Sequence, residues 1–440
     1  MSDKTFQSPG TKGIEEIWIL SPHSNQVKSV ATQLQSLSIT ESIDKRSMQG
    51  TLTLNDVSDV LNEQGYQGAE WLGISWKSES YLDEEHPDRT HLFRISSITN
   101  ITPNTQNTAK QYNISFMSEA EFACTFADSV SQYFAKPVNE IVQDVWDTFI
   151  GETKEKIIDT EAGDKINIDE TEGSAHVIVP RKAPLDAIEF LAAFAYKADS
   201  SSTYMFFQNA DGYNFRLLDK LFKDGIDEIP EDEKYNYGAF EATSISGRAN
   251  YNMTQFTQLQ RNNLWQLADK GKLHNQVVEI DFVTQSVNVN TVNVAEEMGS
   301  YSEYKFNKPL NSDDKYFGEK YNQDPTESNY IYADGLSHYM NRPDMLPRKW
   351  AFMDLMYNNM IGFTVPGNSR LSAGKVIDVK IGTQDNKTET NDGSVEIVDD
   401  PVLSGHYIIK DIIHTFIPNQ YQCNIIACRP GPGSGDYNGK

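Results

Sequence analysis

The residues of this chain that could perform chemistry are few, and the histidines are the first to consider. Eight histidines are spread thinly along 440 residues, at positions 23, 86, 91, 176, 274, 338, 406 and 414. No two of them have the i, i+4 spacing with an intervening carboxylate that helical zinc sites use. His406 and His414 lie in one predicted strand at an even offset, which predicts that both point to the same side. They could form a metal or proton-transfer site, but we favour the interpretation that both are ordinary polar strand positions.

Motifs for phosphate binding or nucleophilic catalysis are missing from the sequence. There is no glycine-rich loop with Walker or dinucleotide spacing, and no Gly-x-Ser-x-Gly turn. We interpret the acidic runs at 83–85, 226–234 and 396–400 as solvated loops. The segment 383–399 lacks the spacing of a calcium loop, because Lys387 stands where a second acid is needed. The sequence therefore predicts no catalytic, cofactor-binding or metal-binding residues.

The three cysteines, Cys124, Cys423 and Cys428, are too few and of the wrong parity for a disulfide framework. Cys423 and Cys428 are five residues apart in the last predicted strand, so we expect them on opposite faces of it. We interpret them as half-buried strand thiols.

Composition excludes several classes of function. The net charge of −25, from 38 basic and 63 acidic residues, opposes electrostatic binding to nucleic acid phosphates. The 21 Tyr and 21 Phe residues argue for a folded chain, since disordered chains are poor in aromatics. No apolar run reaches the roughly 18 residues that a membrane helix needs. The first residues are polar and do not resemble a secretory leader.

The elements begin with strands of period two. In the first 125 residues, Leu37 and Ile39, and then Leu52 and Leu54, alternate with Ser and Thr. Three further short runs repeat the pattern, at 71–76, 91–101 and 112–118. Several short strands at close spacing predict a small antiparallel barrel or sandwich over 1–125.

The pattern changes after Phe122, which predicts an α+β segment over 126–220. Apolar residues from Val138 to Phe149 form one helical stripe. A second helix is predicted from Pro184 to Lys197, followed by a hairpin that turns at 209–212. In the next region, 221–330, residues 274–294 are strand-like and residues 307–330 read as a polar loop or arm.

The last part, 331–429, is predicted to contain a helical stretch and a second β-unit. The helical stretch runs to Met360 and is expected to break at Pro343 and Pro347. Alternating strands follow, then a polar loop at 383–399 and a closing hairpin that turns at 417–420. Residues 430–440 predict a flexible tail.

Several of these segments, in this order, resemble a known family. They are ATQLQSLSITESIDKRSMQGTLTLND, the strand pair HLFRISSITNI and YNISFMSEAEF, the helices KPVNEIVQDVWDTFIG and APLDAIEFLAAFAYKADSSS with the hairpin TYMFFQNADGYNFRLLD, and GFTVPGNSRLSAGKVIDVKI with the closing hairpin LSGHYIIKDIIHTFIPNQYQCNIIA. The chain resembles the baseplate central hub protein of contractile-tailed, T-even-like bacteriophages, which is related to the hub part of type VI secretion spike proteins. The resemblance covers most of the chain but not 221–330.

The resemblance implies an α+β, mainly β fold with two similar small antiparallel β-barrel, tube-like domains, and an α+β insert and a long-loop region between them. The domains would be 1–125, 126–220, 221–330 and 331–429, with the tail at 430–440. It also implies a structural protein without catalytic residues. Such hubs form a homotrimeric, pseudo-sixfold ring that joins the hexameric tail tube to the trimeric cell-puncturing spike.

The expected partners are therefore two further copies of the chain, the trimeric spike, the tail tube and other baseplate proteins. DNA would pass through the ring with weak contact at most, and we expect an acidic inner wall to keep it from adhering. The protein would be made in the host bacterial cytoplasm, would not insert into a membrane, and would reside in the virion tail baseplate.

Three alternatives stay open. The first is a hub of a phage-tail-like or type VI secretion particle, with the same architecture. The second is a β-rich polysaccharide-degrading enzyme, which needs two carboxylates and aromatic platforms, for which candidates are Trp71, Trp76, Trp146, Trp265 and Trp350. The third is a sugar-binding adhesin. Trp146 falls on the apolar stripe of a predicted helix, which favours a core position and weakens the enzyme hypothesis.

Overall fold

The computed structural model describes residues 13–21, 26–63, 65–68, 70–78, 88–106, 108–151, 165–198, 200–230, 233–237, 251–261, 274–281, 285–293, 329–334, 345–389, 395–400 and 403–430. The histidines at 23, 86 and 338, Trp265 and the acidic run 83–85 lie outside these residues, as do most of the polar arm at 307–330 and the tail 431–440.

The first unit consists of seven strands and one short helix. They are β1 Ile14–Ser21, β2 Gln26–Ser29, β3 Leu34–Ser42, β4 Gln49–Asp56, α1 Val60–Glu63, β5 Trp71–Trp76, β6 Arg89–Pro103 and β7 Lys110–Ser118. All pairs between these strands are antiparallel, in the order β3-β4-β7-β6-β5-β1-β2. Leu52 and Leu54 are fully buried while the intervening Thr53 is partly exposed, so the predicted period-two pattern is confirmed.

The insert has its own small core. Its elements are α2 Glu119–Phe126, β8 Tyr133–Lys136, α3 Val138–Val145, β9 Ile166–Ile168, β10 Ala175–Ile178, α4 Pro184–Ala192, β11 Tyr204–Asn209, β12 Gly212–Leu217 and α5 Leu218–Asp227. The predicted stripe buries Val138, Ile141, Val142 and Val145, but a π-helical turn follows at Trp146–Gly151. That wider turn buries Ile150, whereas Phe149 only packs at the edge of the core.

The second helix of the insert is shorter than predicted. It starts at Pro184, whose fixed φ and missing N–H suit a first turn, but it ends at Ala192 and not at Lys197. The hairpin of β11 and β12 turns through Ala210 and Asp211, as predicted.

Three cations attach the insert to the rest of the molecule. Arg46, in the β3–β4 turn, donates two hydrogen bonds to the Glu121 carboxylate on α2, at 2.9 and 2.7 Å, and also pairs with Asp186 on α4. Arg89 of β6 donates to the carbonyl oxygen of Ala210 at 3.2 Å. The Lys349 ammonium donates to the carbonyl oxygens of Ala192 and Ala193, at 3.1 and 2.9 Å, where it caps the C-terminal end of α4.

The middle region contains β13 Lys234–Tyr237, β14 Gln255–Arg261, β15 His274–Asp281, β16 Ser286–Asn293 and β17 Asn329–Asp334. Strands β15 and β16 form an antiparallel hairpin, so the strand-like reading of 274–294 is confirmed. Residues 331–334 belong to β17, which pairs in parallel with β15, so the helix predicted to begin at 331 is wrong there. β-Branched and aromatic residues such as Ile331 and Tyr332 are enriched in strands.

The last unit comprises α6 Met345–Met356, β18 Asn359–Pro366, β19 Val376–Glu389, β20 Val395–Asp399, β21 Gly405–Ile417 and β22 Gln420–Arg429. Pro347 does not break the helix, because it falls in the first turn, where its missing N–H has no partner to lose. The loop predicted at 383–399 is also wrong. Strand β19 continues to Glu389 and pairs with β20, since backbone pairing does not require apolar side chains.

The two β-units form one sheet. Strand β21 pairs with β3, Asp411 to Phe416 against Ser42 to Leu37, and this pairing completes a 14-stranded sheet. The same edge of β21 pairs with β19 through Val376–Val379, before a β-bulge at Lys410. One hydrophobic core contains residues of both units, and the pairing of the described strands does not close into a ring. The mainly β character is confirmed, while the two separate barrels stay a prediction.

Because the two units share a core, we expect them to unfold together. Leu52→Ala in the first unit and Ile425→Ala in the second both remove buried aliphatic atoms from this core. Each should lower the free energy of unfolding by about 2–5 kcal/mol in the same urea transition. Tryptophan fluorescence and circular dichroism measure that transition, with Thr51→Ala on the exposed face as the control. Two separable transitions, each sensitive to only one variant, would contradict the shared core.

Candidate functional site

A group of chemically capable side chains lies inside the sheet, at the junction of the two units. His414 on β21 is fully buried, with its Nδ1 2.8 Å from the Tyr421 hydroxyl and 3.5 Å from the Cys423 sulfur. On the other side of the ring, Nε2 lies 3.4 Å from Oε1 of Glu41, which is an ion-pair distance without hydrogen-bond geometry. A cysteine, a histidine and a carboxylate in this order are the components of a thiol nucleophile with its base and orienting acid.

The electrostatics of this group favour a charged histidine. Burial disfavours the imidazolium, but Cys423 and the Glu41 carboxylate outweigh it and raise the pKa of His414 to about 9. His91 shows the opposite case. It is stacked on Trp76, with ring centroids 5.2 Å apart, and burial lowers its pKa to about 4 despite the more distant Glu41.

The group has no access to a substrate. Glu41, His414 and Cys423 are all 1 % exposed or less. The group instead accepts hydrogen bonds from the connection between β18 and β19 and so fixes its position. The backbone N–H of Asn368 donates to the Cys423 sulfur at 3.4 Å, and that of Ala373 donates to Oε2 of Glu41 at 3.0 Å. We therefore assign it to positioning this connection and not to catalysis.

Glu41 is the member of this group that the sequence interpretation missed. A signal for it exists, because Leu37, Ile39 and Glu41 follow at period two, which places a carboxylate on the apolar face of β3. The sequence predicted that His406 and His414 point to the same side of one strand, and this prediction is wrong. The extra residue of the bulge at Lys410 reverses the alternation, so His414 points into the core while His406 lies half-exposed opposite Asp378.

The remaining predicted site residues are not brought together. Cys124, Cys423 and Cys428 are buried free thiols, and Cys423 and Cys428 do lie on opposite faces of β22. Trp71, Trp76 and Trp146 are buried, whereas Trp350 is 44 % exposed. Within the part of the chain that the structure describes, no group of three His, Cys, Asp or Glu residues could hold a metal ion. In that same part, no helix has both the length and the apolar character needed to cross a membrane.

Two of the acidic runs are partly described. Residues 226–230 form the end of α5 and the turn after it, and Glu233 is buried, where it accepts a hydrogen bond from the Tyr235 hydroxyl at 2.6 Å. Residues 396–399 belong to β20. These two runs are therefore not wholly the solvated loops that the sequence predicted.

A second feature is the solvent side of the sheet. Eight neighbouring strands, β14-β18-β22-β21-β3-β4-β7-β6, present side chains on the side opposite the core. Most of these side chains are uncharged. Arg94 of β6 and Asp411 of β21 also lie on this side, and both are ion-paired. We call the uncharged positions given next the neutral face. By strand, it consists of Gln255 and Thr257; Gly362 and Thr364; Gln420, Gln422 and Asn424; Ile413, Thr415 and Ile417; Ser36, Ser38 and Thr40; Gln49, Thr51, Thr53 and Asn55; Gln111, Asn113 and Ser115; and Ser97 and Thr99.

Polar groups of the neutral face bond to each other across the strands. In the first unit, the hydroxyls of Ser38 and Thr51 lie 2.8 Å apart, and Thr53 donates to Oδ1 of Asn113 at 3.1 Å. In the last unit, Thr364 donates to Oδ1 of Asn424 at 2.8 Å, and the amide of Asn424 donates to the Thr415 hydroxyl at 3.4 Å. Such cross-strand pairs stabilise a sheet from its solvent side.

Three described cations at the margins of the neutral face are each paired with an acid. Arg94, at one end of it, donates to Glu119 at 2.7 Å and stacks on Trp71, 3.2 Å from the ring centroid. Lys110, at the other end, donates to Asp59 at 2.7 Å. Lys410, beside Asp411, lies 2.8 Å from Asp44.

The described path of the sheet ends in two edge strands, β2 and β14. Each carries an exposed aliphatic side chain, Val27 at 60 % and Leu259 at 49 % exposure. Edge strands offer unpaired backbone groups to another strand, and neither of these two side chains is of the charged kind that blocks such pairing.

Comparison with solved structures identifies the fold. A tail protein from Neisseria meningitidis MC58 superimposes with a TM-score of 0.51 at 8 % identity, over 94 % of this chain and 96 % of that one. The chain has the fold of this tail protein. The resemblance to tail proteins that the sequence suggested is thus confirmed at the level of the fold.

Two further tail-related structures align over most of the chain with lower scores. The 43 kDa tail protein of prophage MuSo2 from Shewanella oneidensis has a TM-score of 0.47 at 11 % identity, over 94 % of this chain and 98 % of that chain. An E. coli component of the type VI secretion system, described as similar to the T4 tail proteins gp27 and gp5, has a TM-score of 0.41 at 7 % identity, over 92 % and 74 %. Because both TM-scores are below 0.5, the fold assignment depends on the Neisseria tail protein. No protein-family model and no curated protein sequence matches the chain.

The buried histidine makes the stability of this tail-protein fold depend on pH. The folded-state pKa of His414, about 9, lies above its unfolded value of 6.5. Its stabilising effect is therefore complete below pH 6.5 and is lost as pH rises towards 9, at most about 3 kcal/mol in total. Urea unfolding of the wild type should show this loss, and His414→Gln should abolish it.

His91→Gln, at the buried histidine whose pKa is lowered to about 4, is the control. His91 is neutral between pH 6.5 and 9, so this variant should keep the alkaline loss of the wild type. An alkaline loss of the same size in His414→Gln and in the wild type would show that His414 does not carry the charge assigned to it.

Proposed function

We propose that the chain is a structural tail protein, the central hub of a contractile tail baseplate. In this role it forms a homotrimeric ring between the hexameric tail tube and the trimeric puncturing spike. The observation that carries the proposal is the fold shared with a tail protein, together with a sheet whose described main path ends in the edge strands β2 and β14 and whose solvent face is mostly uncharged. No catalytic role is part of it.

The symmetry argument depends on the two β-units. A threefold ring that meets a sixfold tube must present six nearly equivalent surfaces, which requires two similar modules in each chain. The β6–β7 and β21–β22 hairpins are candidates for equivalent elements. Rotation about the ring axis preserves strand direction, and β21, which is antiparallel to β3, runs in the same direction as β6. The two tube-like barrels predicted from the sequence would form around these hairpins.

The edges supply the contacts between subunits. Strand β14 of one subunit would pair with β2 of the next, so that the sheet continues from chain to chain around the ring. This removes both edges from solvent and buries Val27 and Leu259, which are exposed in the single chain. The neutral face would then line a central channel, through which DNA leaves the particle, and the protein would reside in the virion tail baseplate.

The edge pairing predicts that a charge on either edge strand weakens assembly. Val27→Lys and Leu259→Lys place an ammonium group where the neighbouring strand must dock, as natural edge strands do to stay unpaired. Each should weaken trimer formation by at least about tenfold, equivalent to about 1.4 kcal/mol. The urea midpoint of the single chain should not change. Mass measurement with and without a candidate spike protein reports the assembly state.

Val57→Lys is the matched control. Val57 is 65 % exposed and follows the end of β4, away from both edges. Trimers that form equally well from Val27→Lys and Val57→Lys would exclude β2 from the subunit contact.

A further inference from the structure

We propose that the neutral face lets DNA pass by offering its phosphates neither attraction nor repulsion. This inference rests on the proposed function, since it requires the neutral face to line the channel. It replaces the acidic wall expected from the net charge of −25 with an uncharged wall. The positions of the neutral face are uncharged, and the charged side chains next to them on the same side, Arg94 and Asp411, are ion-paired.

The absence of attraction follows from the side chains present. Protein affinity for duplex DNA comes largely from Lys and Arg that replace condensed counterions at the phosphates. No side chain of the neutral face is cationic, and Arg94, Lys110 and Lys410 at its margins are paired with carboxylates. Hydroxyl and amide groups can also donate to phosphates. Here several are engaged with each other, as in the bonds of Ser38 to Thr51 and of Thr53 to Asn113.

The neutral face also does not repel the DNA phosphates, in contrast to the acidic wall expected from the net charge. A duplex carries one negative charge per roughly 1.7 Å of its axis. In a channel that fits a duplex, phosphates come within the screening length of about 8 Å from the wall, where acidic side chains would raise the energy of entry. An uncharged wall adds no such barrier, so the DNA would move along a layer of water held by hydroxyl and amide groups.

The composition of the neutral face also argues against a covered interface. The buried centre of a protein interface is enriched in aromatic residues, Met and Arg. Among the residues that define the neutral face, only Ile413 and Ile417 are large and apolar, with exposures of 37 % and 41 %. Met117, Met360 and Ile426 lie beside it on the same side and are half-buried, and Leu259 packs over Gly362. Ser, Thr, Asn and Gln fill nearly all other positions, which is suited to contact with water.

The test measures the electrostatic potential at the neutral face with an introduced thiol. The native thiols, Cys124, Cys423 and Cys428, are at most 8 % exposed, so the full-length chain should react negligibly with methanethiosulfonates. Thr51→Cys, at an exposed position in the middle of the neutral face, adds one reactive thiol. Gln143→Cys on α3 is the comparison, because Gln143 is exposed and hydrogen-bonds to Asp147, beside an acidic surface.

Each variant is treated with a cationic and an anionic methanethiosulfonate of equal size, at low and at high salt. At Thr51→Cys, the ratio of the cationic to the anionic rate should stay within about twofold of the ratio for free 2-mercaptoethanol, and salt should barely change it. At Gln143→Cys the cationic reagent should be favoured by about tenfold at low salt. A cationic preference at Thr51→Cys as large as at Gln143→Cys would overturn the neutral wall.

The same reaction in the assembled state separates this inference from the proposed function. Mass measurement shows whether a ring has formed, independently of the thiol reaction. A chain that never assembles refutes the proposed hub function, while the reaction rates still report the electrostatic potential at the neutral face. In a ring, a channel wall keeps Thr51→Cys reactive towards the small reagents. If the thiol becomes unreactive while the ring is present, the neutral face is an interface with a protein partner, and the inference is wrong.

Discussion

The pairing of β3 with β21 is the contact on which the rest of this structure depends. It joins segments about 370 positions apart, as the hydrogen bond from Ser42 to Asp411 shows. Closing so long a loop costs conformational entropy, which the shared hydrophobic core must offset. The eight-strand solvent face is therefore complete only after the last hairpin has formed, because β21 joins its two halves.

The buried charge pair of Glu41 and His414 fits this pairing. Removing two charges from water costs several kcal/mol, and a pair in the interior often only breaks even, so its contribution is better sought in specificity than in stability. A slip of β3 by one residue against β21 would turn Glu41 outward, away from His414, and bring Ser and Thr of β3 into the core. The pair thus distinguishes the correct register, and through Ala373 and Asn368 it also fixes the β18–β19 connection above it.

Local patterns in the sequence predicted local structure well. The alternation around Leu52 and Leu54, the stripe from Val138, and the β11–β12 turn are all found where the pattern placed them. The predictions that failed concern places where the backbone is irregular or where the structure depends on residues distant in the sequence. The bulge at Lys410 and the π-turn at Trp146 each insert a residue that no periodicity reveals, and β19 continues through a polar segment because β20 lies beside it. The pairing of β3 with β21 and the burial of Glu41 depend on tertiary structure. The alternation in the sequence predicts each strand but not which strand it pairs with.

The chemistry of the neutral face is not explained by folding alone. Solvent-facing strand positions tolerate charge, and elsewhere this chain uses it, as in the pairs Lys28–Glu63 and Lys136–Asp144. Strand propensity would account for the threonines, but Ser, Gln and above all Asn are neutral or unfavourable in strands, and they occupy more positions than Thr does. Stability alone does not require so few charged side chains on the solvent side of eight strands, where Arg94 and Asp411 are the exceptions. A surface of this kind suits the proposed contact with an object that carries a dense charge of its own.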